Sequence, residues 1–295
     1  MYVDAIERIK SYIRPIHSIA RFHGHAPVVP GSATLFFVNE DGFAVTCRHV
    51  AINILRSAQI NAAYRRYKGM EGELRNHPDR SRLMRDLQTK FNIQDGTIKQ
   101  LHNRFINCVD GDEPPVITPH PNEHVDLALV QFKNFRQRLY TGYATFLKDT
   151  SRIKPGRTLC RIGYPFPDFT NFRYNPRVDD IEWSEEPTHY VSFPIDGIIT
   201  RLLPNKKGIV EIEMSTPGLV GQSGGPLFDA GGLVNGMQSA TDQLHLGLDI
   251  EDREVLVKNR RSLVSNYPFL NVGICIHADQ IKAFLRDNGV KFYEA

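Results

Sequence analysis

The chain is short of several things, and each shortage excludes a class of protein. Only four of its 295 residues are cysteine, namely Cys47, Cys108, Cys160 and Cys275. They show neither CxxC pairing nor metal-ligand spacing with histidine, so neither a disulfide framework nor a zinc site is expected. Charge of one sign is scarce too: 36 Lys and Arg stand against 33 Asp and Glu, a net charge of +3. A dedicated nucleic-acid binder would carry a concentrated basic stripe. The stretch from Arg56 to Lys99 is rich in Arg and Lys, but Glu71, Glu73, Asp79 and Asp86 are interleaved with them, as on a solvated helical face. No run of about 18 apolar residues exists, so no membrane-spanning segment is expected. The opening Met-Tyr-Val-Asp-Ala-Ile-Glu-Arg-Ile-Lys puts charges where a secretory signal has its apolar core. With reduced thiols, this points to a cytoplasmic protein that contacts neither nucleic acid nor membrane.

What is present is an ordinary globular composition, 41% hydrophobic and 23% charged. Ile6, Ile9 and Ile13 recur at helical spacing until Pro15, which predicts an N-terminal helical segment within residues 1–28. From Gly31 the character changes to strands. Ala33–Val38 and Phe43–Thr46 flank the turn Asn39-Glu40-Asp41-Gly42, a β-hairpin that runs into Cys47-Arg48-His49. Residues 51–112 are poor in β-branched runs, with a helical pattern at Ser81–Phe91, and read as a helical insertion. Strand signals resume at Pro115–Thr118 and Val125–Phe132. Many short strands follow, among them Thr158–Ile162, Tyr190–Phe193, Gly197–Thr200, Ile209–Glu213, Leu233–Gln238 and Val272–Ile276. Turn residues separate most of them, which suggests barrels or sandwiches. Ala278–Asp287, with Ile281, Phe284 and Leu285 on one face, predicts a closing helix.

Three signatures carry chemistry. Thr46-Cys47-Arg48-His49-Val50 ends a strand, and Val125-Asp126-Leu127-Ala128-Leu129-Val130 opens one. Gly221-Gln222-Ser223-Gly224-Gly225-Pro226-Leu227 is a glycine-flanked turn that exposes a hydroxyl beside converging backbone N–H groups. Each alone is more often structural. Together they supply what acyl transfer needs: a nucleophile, a base, and an acid that fixes the base's tautomer.

The order His49, Asp126, Ser223 in these surroundings resembles the trypsin-like, chymotrypsin-fold serine proteases, and is most similar to the HtrA/Deg-type protease domain. Lys154-Pro155-Gly156 through Ile162-Gly163-Tyr164-Pro165-Phe166, and Gly273-Ile274-Cys275-Ile276-His277, add to the likeness. The resemblance implies a mainly β fold of two six-stranded antiparallel barrels. Residues 29–143 would form the first, carrying His49 and Asp126, and residues 144–295 the second, carrying Ser223. It implies Ser223 as nucleophile, His49 as general base, Asp126 as its orienting carboxylate, and the N–H groups of Gly221 and Ser223 as oxyanion hole. It also implies that Ser239 bonds the acid, that Ser239-Ala240-Thr241 pairs with a peptide substrate, and that Gln238 lines the specificity pocket. No cofactor or metal is implied, and no PDZ-like domain is expected after residue 290.

Two departures matter. Gln222 stands where digestive relatives carry the Asp that pairs with a newly cut N-terminus, so activation by N-terminal cleavage is not expected. Pro217 stands where trypsin-like specificity places an acid; a small or medium apolar residue is expected at P1 instead of Arg or Lys. The insertions at 51–112 and 242–271 flank the site and suggest gating or docking of a regulatory protein. The alternatives are a catalytically silent protease fold that binds peptides or partners, and an esterase using the same triad.

Overall fold

The computed structural model describes residues 1–185, 190–204 and 210–295. Helix α1 (Val3–Lys10) buries Ala5 and Ile9, with Asp4 in its first turn and Arg8 and Lys10 in its last, matching the helix dipole. The chain then forms β1 (Ile13–Phe22), β2 (Val29–Phe37) and β3 (Phe43–Thr46). Sequence reading leaves residues 13–22 in a helical segment; they are instead a central strand, paired with β2 on one side. Pro15 is tolerated because the strand on the other side joins only from Ile16 onward, so no ladder bond needs its missing N–H. The β2–β3 turn is built as expected. The Asn39 side-chain oxygen accepts from the N–H of Asp41 and of Phe43, and Gly42 takes φ +81°.

Helices α2 (Arg48–Glu73) and α3 (Arg80–Lys90) follow, then β4 (Ile98–Phe105), β5 (Val109–Asp110), β6 (Val116–Pro119) and β7 (Ala128–Gln131). The helical insertion is therefore shorter than 51–112. Ile98–Phe105 pairs with β1 and belongs to the sheet. Six strands lie in the order β4-β1-β2-β3-β7-β6. This first sheet curls without closing: among the described residues β4 and β6 do not pair with each other, and α2 packs against both. Tyr64, Tyr67 and Leu87 bind α2 to α3 as a small separate core.

The second half contains β8 (Gln137–Arg138), β9 (Thr145–Phe146), β10 (Thr158–Gly163), β11 (Phe172–Asn175), β12 (Asp180–Trp183), β13 (Phe193–Pro204) and β14 (Val210–Met214). It continues with β15 (Pro226–Phe228), β16 (Val234–His245), β17 (Ile250–Val257), β18 (Arg260–Asn266), β19 (Phe269–His277), helix α4 (Ala278–Asp287) and β20 (Tyr293–Glu294). Strands β15-β10-β13-β14-β19-β16 form a ring, closed by β15 on β16. The fold is thus mainly β, one closed six-stranded barrel and one half-barrel in the chymotrypsin-like manner. Of the strand expected at Ile209–Glu213, Ile209 lies outside the described residues. The segment 242–271 extends β16 and β19 and adds the exposed β17–β18 ribbon.

One contiguous core spans both sheets: Leu35, Phe36 and Phe37 from the first meet Phe146, Phe228 and Met237 from the second, with Ile281 and Leu285 of α4 beneath. The catalytic-residue candidates lie along the junction this core supports. Among the described residues no helix is long and apolar enough to cross a membrane.

Candidate active site

His49 sits in the first turn of α2, three residues past the end of β3. Asp126 stands two residues before β7. Strands β3 and β7 pair antiparallel with Thr46 opposite Ala128, so their adjoining ends bring the two side chains together. Asp126 Oδ1 accepts the His49 backbone N–H at 2.8 Å, and its Oδ2 lies 2.8 Å from His49 Nδ1. An ionised carboxylate only accepts, so the ring proton belongs on Nδ1, which leaves the Nε2 lone pair for chemistry. Ser239 Oγ donates to the same Oδ2 at 2.6 Å. Burial opposes ionisation of Asp126, but the bonds and charge of His49 and the Ser239 hydroxyl outweigh it and hold the carboxyl down at about 2.

Ser223 lies in the turn before β15. Gly221 and Gly224 adopt φ +99° and +88°, backbone that only glycine takes easily. Space demands glycine as well: a Cβ on Gly221 would lie 2.5 Å from the Tyr164 carbonyl, and one on Gly224 would lie 2.0 Å from that of Thr34. Thr34, on β2 of the first sheet, clamps this turn. Its N–H donates to the Ser223 carbonyl, its Oγ1 donates to the Gly221 carbonyl, and the same Oγ1 accepts from the Tyr164 N–H. Gln222 is fully buried; its amide nitrogen donates to the Phe193 carbonyl and its oxygen accepts from the Leu219 N–H. It latches the turn from within, and its neutral amide has no use for a new N-terminal ammonium.

The N–H groups of Gly221 and Ser223 donate to no other described residue, although their neighbours Gln222, Gly224 and Gly225 are all bonded. Two unspent donors therefore flank the Ser223 hydroxyl. That hydroxyl donates to the Ser239 carbonyl at 3.3 Å, and no hydrogen bond joins it to His49 in this conformation.

Of the four residues expected to contact substrate, Ala240 and Thr241 are exposed on β16, and Thr241 Oγ1 donates to the Gly218 carbonyl. Ser239 is turned inward onto Asp126. Gln238 is buried, with its amide nitrogen on the Ala240 carbonyl and its oxygen accepting from Arg161. Two residues at the site escaped sequence reading, Thr34 and Arg161, because each sits in an apolar strand with nothing to mark it. Beside His49 and Ser223 a cavity of about 300 Å³ opens toward the concave face of the first sheet, lined by Ile16, Ala20, Val29, Val50 and Leu101.

Cys47, His49 and Asp126 place ligand-type atoms within 4.8 Å of one another. Complete burial, then the nearby Asp126 charge, push the Cys47 thiol well above the usual range, so it does not offer a thiolate. All four cysteines are buried and unpaired. His124 is exposed and away from the triad candidates' hydrogen bonds.

The profile of the trypsin-like peptidase domain matches residues 31–237. The chain belongs to the trypsin-like peptidase family. Solved structures with a similar course of chain include the HtrA-type protease AlgW with a decapeptide, at 14% identity and a TM-score of 0.47, covering 97% of this chain and 67% of that one. The same protease with a tripeptide gives 14% identity and a TM-score of 0.47, over 98% and 65%. A variant of it with a tripeptide gives 14% and 0.48; this trypsin-like chain spans 63% of that protein's length. No curated protein matches the sequence.

Proposed function

We propose that this trypsin-like chain is a serine endopeptidase. Ser223 attacks the scissile carbonyl, His49 takes the hydroxyl proton through Nε2 and returns it to the leaving amine, and water then hydrolyses the acyl-enzyme by the same route. Asp126 holds the imidazole and stabilises its charged form. Gly221 and Ser223 N–H groups receive the oxyanion. One observation carries the reading: an oriented His49–Asp126–Ser239 chain stands beside a serine flanked by two unspent backbone donors. Substrate backbone adds to the exposed stretch of β16 at Ala240 and Thr241. Rotation of the Ser223 side chain away from the Ser239 carbonyl toward His49 precedes attack; such bonds commonly tighten only with substrate present.

The Ser223–Ser239 bond also favours a second reading, a silent protease fold that binds peptides without cutting them. Labelling by a fluorophosphonate probe separates the two. Wild type that labels while Ser223→Ala does not supports the peptidase; folded wild type that stays unlabelled, alone and with lysate added, supports the silent fold. Regulation is assigned to the 242–271 arm, which continues the substrate strand. Replacing residues 246–268 by a tight turn is expected to change protein cleavage; unchanged turnover of peptides and proteins removes that role.

A further inference from the structure

Arg161 lies on β10 with 1% of its surface exposed, the largest side chain so deeply buried. Three other buried formal charges have counter-ions: Arg21 pairs with Asp179, Glu213 with Arg201, and Lys282 with Glu294 and Asp279. Arg161 has no carboxylate within 4 Å among the described residues. Its partners are neutral. Nη1 donates to Gln238 Oε1 at 3.0 Å, Nη2 reaches Thr216 Oγ1 at 2.7 Å, the Pro217 carbonyl at 2.7 Å and the Thr216 carbonyl, and Nε has no partner. A buried guanidinium without a counter-ion is costly, and such a site favours an incoming anion.

The place of this charge gives it a role. Residues 216–218 lead into the Ser223 turn, and Thr241 of β16 is opposite Gly273 of β19. A substrate laid along Ala240 and Thr241 would send its P1 side chain between these walls, which the Thr241 Oγ1 bond to the Gly218 carbonyl now bridges. Arg161 and Gln238 pack into that space against the glycine of each wall: a Cβ on Gly273 would meet Arg161 Nη1 at 2.1 Å, and one on Gly218 would meet Gln238 Nε2 at 2.2 Å. The second hydrogens of Nη1 and Nε2 have no acceptor among the described residues.

We propose that Arg161, with Gln238, makes the specificity pocket select an acidic P1 residue, Asp or Glu, whose carboxylate supplies the missing counter-charge. This rests on the peptidase reading of the site and replaces the apolar P1 expected from sequence.

The test is read by binding, so turnover is not needed. Two hexapeptides that differ only in Glu or Gln at P1 are titrated calorimetrically into Ser223→Ala protein. The Glu peptide is expected to bind about tenfold or more tightly, roughly the worth of one charge-assisted pair. The preference should vanish when Arg161→Leu is added and persist in part with Arg161→Lys. Equal affinities, including no measurable binding of either peptide, overturn the proposal, as does a Glu preference that survives Arg161→Leu. The wild-type pocket comparison holds whether or not the Leu variant folds. A wild type that fails to react with fluorophosphonate while this preference is present sinks the peptidase reading and leaves the pocket assignment standing.

Discussion

Thr34 and Gly221 join the two halves of the molecule at the site: the threonine Oγ1, fixed in the first sheet, donates to the glycine carbonyl at 2.9 Å. A carbonyl held this way fixes the plane of the following peptide, and with it the approach to Ser223. Thr34→Val should lower kcat by about 10²-fold with KM little changed, since misplacement near 1 Å has that effect. Thr34→Ser should restore most of the rate. A loss confined to KM, or no rescue by serine, contradicts this positioning role.

Asp126 couples the site to stability. Its carboxyl titrates at about 2 when folded, below the ordinary 3.8. A depressed acid stabilises the fold above its unfolded pKa, and that contribution disappears as pH falls from about 4 to about 2. The amount is about 2 kcal/mol. Urea unfolding of wild type and Asp126→Asn should therefore differ at pH 7 and converge toward pH 2. The Asn variant should also lose about 10⁴ in turnover, as in a related serine protease whose histidine was left in the wrong tautomer. Parallel stability curves across that pH range would rule out the coupling.

Glycine at 224 is required twice over, by its positive φ and by the Thr34 carbonyl. Gly224→Ala should cost at least about 3 kcal/mol, a clash against backbone added to conformational strain. Gly156 has a similar φ of +87° but open space around it. Gly156→Ala should cost only about 1 kcal/mol. Chemical denaturation of both variants checks the difference, and similar losses would show that strain alone decides.

The four cysteines are buried, and burial pushes Cys108 upward and Cys160 to about 12. Native protein should show almost no reaction with a thiol reagent at pH 8 over minutes, and four equivalents once denatured. Iodoacetamide should leave probe labelling of Ser223 intact; parallel loss of labelling would give Cys47 a part in the chemistry.

Much of this was legible before any coordinates. The hairpin into His49 announced itself through apolar runs on either side of the turn Asn39–Gly42, and α4 through the spacing of Ile281, Phe284 and Leu285. What stayed hidden had physical reasons. Strand β1 begins with Ile13 in register with the isoleucines of α1 and then meets Pro15, a combination that mimics a helix end. Strand β4 reads Ile-Lys-Gln-Leu-His-Asn-Arg-Phe, polar because it is an edge whose outer side meets α2 and water. Arg161 falls in an apolar strand with nothing beside it to mark a buried charge. Thr34 is an ordinary strand threonine until the second half of the chain arrives beside it.

Helix α2 begins at Arg48, one residue before His49, and packs over the gap between β4 and β6. Those strands otherwise end the sheet with bare amide and carbonyl rows, a template on which another chain can add. The element that carries His49 is therefore also what covers that open edge. Loosening α2 should show first as turbidity on storage, before any change in fluorophosphonate labelling of the molecules that remain soluble.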